Sequence, residues 1–78
     1  MQLFIKTLVS TYPSFSMDIE GQNTILFLKE KIQDEKKIPI EHQRILYAGK
    51  QLDDNKTFKD YNIKEEPFLI LRIMKPIS

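Results

Sequence analysis

Residues 21–39, GQNTILFLKEKIQDEKKIP, decide the fold. Ile25, Leu28 and Ile32 recur at helical spacing behind Asn23 or Thr24, either of which is a fair N-cap. Pro39 stops the pattern and biases Ile38 toward extended geometry. The spacing predicts an amphipathic helix over about 24–36, with Lys29, Lys31 and Glu35 among its outer charges.

The segments before it say what the helix packs on. MQLFIKTL, residues 1–8, alternates, with Leu3 and Ile5 on one face and Gln2, Phe4 and Lys6 on the other. SFSMDIE, residues 14–20, alternates as well and turns Phe15, Met17 and Ile19 inward. Pro13 lies between them and cannot donate to a strand ladder, so the two strands form a hairpin with a longish loop. A hairpin with one apolar face followed by an amphipathic helix reads as a helix laid across a sheet.

Beyond the helix, QRILYA (43–48) is a short strand, with Ile45 and Tyr47 on one side and Arg44 and Leu46 on the other. DDNKTFKDYNI (53–63) is a polar connector carrying Phe58, Tyr61 and Ile63, with room for a helical turn. PFLILRI (67–73) is a last strand, with Leu69, Leu71 and Ile73 opposite Phe68, Ile70 and Arg72. The order is ββαββ in a single α+β domain over 1–78, with a short helical turn before the last strand. Its expected core is Leu3, Ile5, Phe15, Met17, Ile19, Ile25, Leu28, Ile32, Ile45, Leu52, Phe58, Ile63, Leu69 and Leu71.

Composition removes several classes of function. Formal net charge is +1, with 12 basic against 11 acidic residues, which gives no global attraction to nucleic acid or an anionic membrane. There is no cysteine, hence no disulfide, thiol nucleophile or thiolate metal site. His42 alone cannot make a zinc site, and in the polar run EHQR it is expected to face solvent. No apolar run approaches the ~20 residues of a membrane span, and the N-terminus lacks the pattern of a signal peptide. Cytosol or nucleus is the expected location.

Nor do the residues make an active site. AGKQ lacks the earlier glycine and the following Ser or Thr of a phosphate loop. Asp53-Asp54 and Glu65-Glu66 are sequence neighbours on polar stretches, and an acid/base pair needs a cleft that so short a chain can scarcely build. The expectation is a protein without enzymatic activity, cofactor or metal.

The outward Leu46 leaves two readings open: a scattered exposed apolar residue, normal on any surface, or a residue kept for a partner. Phe4 is outward too, as a second contact or as packing for the Pro13 loop.

MQLFIKTL, TILFLKEKIQD, KIP, QRILYAGKQLDD, TFKDYNI and LILRI, in this order and spacing, resemble ubiquitin over nearly the whole chain. The resemblance implies a β-grasp fold, a mixed sheet wrapped around one helix. It places Leu8, Leu46, Ile70 and Arg72 where ubiquitin displays its recognition patch, with Gly49, Lys50 and Gln51 in the neighbouring turn; Arg44, Lys50 and Arg72 are expected to form a basic rim around the apolar residues. The implied partners are ubiquitin-binding domains or helices and proteasome or shuttle receptors, met by a monomer. Lys6, Lys29, Lys31 and Lys50 match family lysines that accept a further modifier.

Two departures stand out. Ile77 and Ser78 occupy the positions of the family's Gly-Gly, preceded by Pro76. An activating enzyme admits that segment through a narrow channel that favours backbone without side chains. The expectation is a docking module not conjugated through these residues. The alternative is a covalent modifier, or a unit of a precursor whose reactive end is made by processing. Lys37 stands where ubiquitin has the glycine that ends its helix, which costs roughly 1 kcal/mol if the left-handed turn is kept.

Overall fold

The computed structural model describes residues 1–8, 13–63 and 67–74. Strands β1 (Gln2–Thr7) and β2 (Phe15–Asp18) form the hairpin, helix α1 (Ile25–Lys36) follows, and a 3₁₀ turn (Ile40–His42) leads into β3 (Gln43–Tyr47). β4 (Lys50–Gln51) and β5 (Phe68–Ile73) complete a five-stranded sheet in the order β2-β1-β5-β3-β4. β1 and β5 run parallel at its centre, and the other neighbours are antiparallel. This is the expected β-grasp.

Alternation sorts the sheet into two faces. Leu3, Ile5, Met17, Ile45, Leu69 and Leu71 are buried beneath Ile25, Leu28 and Ile32 of α1. Thr24 caps the helix, its hydroxyl accepting from the Phe27 amide at 3.1 Å. The Ile25 and Leu26 amides donate to the carbonyls of Lys56 and Asp54, so the connector satisfies donors that a helix N-terminus leaves open. Thr57 and Asp60 bond reciprocally, each amide donating to the other's side chain. The connector forms a turn at 58–62, with Tyr61 and Asn62 amides bonded to Phe58 and Lys59 carbonyls, short of a regular helix.

The structure corrects four readings. Lys29 is not an outer charge: it is 5% exposed, and its ammonium pairs with Asp54. It lies four residues after Ile25 and three before Ile32, on the buried stripe itself. Phe15 is half-buried at the core's margin, with the Lys36 ammonium 4.7 Å from its ring centroid. Ile38 belongs to the core, because Lys37 takes the left-handed conformation (φ 60°, ψ 34°) and folds the chain back under the sheet. His42 is half-buried, and its carbonyl accepts from the Met74 amide.

The β3–β4 hairpin turns on two residues, Ala48 (φ 52°) and Gly49 (φ 79°). Positive φ at both is the geometry that matches the twist of flanking strands. Glycine meets it without strain, whereas Ala48 adopts it against its Cβ.

Candidate functional site

The outward face of the sheet carries the candidate site, and strand register sets its layout. Leu46 on β3 is opposite Ile70 on β5, and Arg44 is opposite Arg72 one pleat away. On the other side of β5, Ile70 is in register with Lys6 and Phe68 with Phe4 of β1. Ile70 is 39% exposed, and Leu46 is half-buried against its neighbours. Leu8 follows β1 directly at 63% exposure.

The flanking charges are positive. Arg44 is steadied by two bonds from Nη1 to the carbonyls of Glu41 and Gln43, at 3.2 and 3.0 Å. Arg72 and Lys6 are exposed. An apolar centre beside basic groups on an open sheet face suits contact with another macromolecule. Among the described residues, no group of three or more His, Asp or Glu side chains could hold a metal ion. No helix among them is long and apolar enough to cross a membrane.

The remaining sequence candidates are distributed around this face. Gln51 pairs with Leu46 and shares its side of the sheet. Lys50 pairs with Tyr47, and its ammonium lies 5.3 Å from the Tyr61 ring centroid, at the edge of the sheet. Gly49 is exposed in the turn between them. Among the lysines expected to accept a modifier, Lys6 and Lys50 are exposed and Lys31 is half-exposed on α1. Lys29 is closed to a macromolecular reactant by its burial and its ion pair. Ile77 and Ser78 lie outside the described residues, as does Glu65.

Two residues went unrecognised in the sequence. Gln43 is fully buried, and its Nε2 donates to the carbonyls of Lys29 and Ile38 at 3.0 and 2.9 Å. It thereby ties α1 and the segment after it to β3, under the candidate face. Its place in step with Ile45 and Tyr47, two and four residues on, was the only sign. Phe68 is 73% exposed and stacks on Phe4, with ring centroids 5.3 Å apart and planes at 29°. Alternation placed both rings outward, but only the parallel β1–β5 register brings them together.

A mixed sheet closed over one helix, with strand order β2-β1-β5-β3-β4, defines a β-grasp protein of the ubiquitin-like class. The sequence profile of the ubiquitin family matches residues 3–76, and the chain belongs to that family. It is 39% identical over 79 residues to the UV excision repair protein RAD23 homolog B of Homo sapiens, covering 97% of this chain and 19% of that protein. It is 39% identical over 59 residues to the UV excision repair protein rhp23 of Schizosaccharomyces pombe, covering 76% of this chain and 16% of that protein. To the NEDD8-like protein RUB3 of Arabidopsis thaliana it is 42% identical over 71 residues, covering 91% of this chain and 88% of that protein. The chain thus spans about a fifth of the RAD23 homolog's length and most of the NEDD8-like protein's.

Proposed function

We propose that this chain is a ubiquitin-like interaction module that docks onto ubiquitin-binding domains or helices, including receptors of the proteasome pathway, in the cytoplasm or nucleus. The observation that carries the reading is the Leu46–Ile70 register pair on the outward face, flanked by the Arg44–Arg72 pair. Leu8, Gly49, Lys50 and Gln51 extend the contact at its margins. The chain acts through this surface without catalysis, cofactor or metal. Similarity to one stretch of the much longer RAD23 homolog supports a docking role.

An NMR titration of the labelled chain with a three-helix ubiquitin-binding domain tests it. Shifts at Leu8, Leu46–Gln51 and Ile70–Arg72 are expected. Shifts that leave Leu46 and Ile70 unmoved, or none at millimolar receptor, reduce Leu46 to ordinary exposed surface.

The match along most of the NEDD8-like protein favours a second reading, a covalent modifier. Against it stand Ile77 and Ser78, preceded by Pro76, at the positions where the resemblance to ubiquitin puts a slim glycine pair. Incubated with a ubiquitin-activating enzyme and ATP, this 78-residue chain is expected to give no thioester. A reductant-sensitive adduct on the enzyme decides for the modifier.

A further inference from the structure

Phe68 has the most exposed large apolar side chain among the described residues, yet it stands on β5, near the middle of the sheet. Its ring stacks on Phe4 and leaves the rest of its surface in water. Two residues along the same strand, Ile70 meets Leu46. We propose that Leu46, Ile70, Phe68 and Phe4 form one diagonal apolar band that takes an amphipathic helix of a partner protein, acidic along one flank and with a large apolar residue for the aromatic pair. The proposal rests on the docking reading and extends it by the partner's length, polarity and added anchor.

The geometry sets the length. From Leu46 to Phe4 the band crosses two strand spacings of about 4.8 Å and two residues of about 3.4 Å each, a diagonal of roughly 12 Å. A helix rising ~1.5 Å per residue covers that in about eight residues, so its apolar positions fall near i, i+4 and i+8. The first two meet Leu46 and Ile70. The third reaches Phe68 and Phe4, beside which a shallow groove opens toward Phe15 and Ser16.

Charge sets the polarity. On the band's side of β1, β5 and β3 the charged side chains are Lys6, Arg72 and Arg44, all basic and all along one flank. Among the described residues the other flank is the Ala48–Gly49 turn, which carries no charge. Asp18, the acid on the same face of β2, lies 3.5 Å from the N-terminal ammonium. A helix acidic on one side only is complementary to this layout, and one acidic on both sides gains nothing from the second.

Two synthetic helical peptides test the proposal, both acidic along one flank and apolar at i and i+4, one with Phe and the other with Ala at i+8. They are titrated into the labelled full chain and its Phe68→Ser and Leu46→Ala variants. The Phe peptide is expected to bind about fivefold or more tighter than the Ala peptide, the worth of one added buried apolar contact. Only the Phe peptide should shift Phe4 and Phe68 in the parent chain, a readout that needs no variant. Phe68→Ser should erase the difference between peptides and leave the Ala peptide's affinity unchanged, whereas Leu46→Ala weakens both.

If the Ala peptide shifts Leu46 and Ile70 but both peptides bind equally well, the docking reading stands and the band is overturned. If neither peptide shifts those residues, both fall together. Self-association of the parent in sedimentation, abolished by Phe68→Ser, overturns the helical partner in favour of a second copy.

Discussion

Leu46 and Ile70 face each other across β3 and β5 on the outward side of the sheet, directly behind the buried Ile45–Leu71 pair. The same two strands thus supply a core layer and a contact layer from alternate residues. Leu46 keeps only part of its surface in water, so Leu46→Ala should weaken binding of a ubiquitin-receptor helix by roughly 3- to 10-fold, the worth of about 0.7–1.4 kcal/mol for the area a partner still covers. Its thermal midpoint should fall less than that of a core truncation such as Leu69→Ala. Calorimetric titration and a melting curve check the two halves separately.

The Lys29–Asp54 pair predicts an asymmetry. Asp54→Ala leaves a buried ammonium without its partner and should cost roughly 1–3 kcal/mol. Lys29→Met keeps the apolar stem, removes the need for a counter-charge and should cost less. Urea denaturation of both variants decides, and equal losses would show that the stem's packing matters more than the charge.

Lys37 holds a left-handed backbone at the end of α1. Lys37→Gly should stabilise the fold by about 1 kcal/mol, since glycine adopts that conformation without the Cβ clash. A denaturation midpoint at or below the parent's would mean that the lysine side chain compensates for the strain.

Asp60 is held below the usual carboxylate range by bonds from the Thr57 amide and hydroxyl, helped by the charges of Lys56 and Lys59. Its folded pKa is lower than its unfolded one, ~3.9, so its contribution is complete above that value and is lost as pH falls through the folded pKa. Asp60→Asn should therefore flatten the acid limb of the stability curve below about pH 4. Melting curves across that window check the sign.

Much of the fold was legible because burial and alternation coincide. Leu3 and Ile5, then Ile25, Leu28 and Ile32, announce a sheet face and the helix that covers it. β4 has two residues and offers no period to read. Ile38 escaped because the backbone reversal at Lys37 carries it inward, off any regular pattern. Lys29 lay on the apolar stripe in plain sight, but the counter-charge that permits its burial is far along the chain, at Asp54. The site divides the same way. Leu46 and Ile70 were visible as outward residues, while the Phe4–Phe68 stack depends on a parallel register between the first strand and β5.

That register also governs timing. A nascent chain that has reached Leu46 contains the residues of the hairpin, the helix and most of β3, but the strand that lies between β1 and β3 is missing until β5 is synthesised. Phe4 and Leu46 therefore become parts of one surface only when residues 68–73 slot between them. The contact layer appears in a single late step, and receptors cannot engage a half-made copy through it. Proteolysis runs the same event in reverse: a cut between Gln51 and Phe68 that lets β5 leave abolishes the whole surface at once.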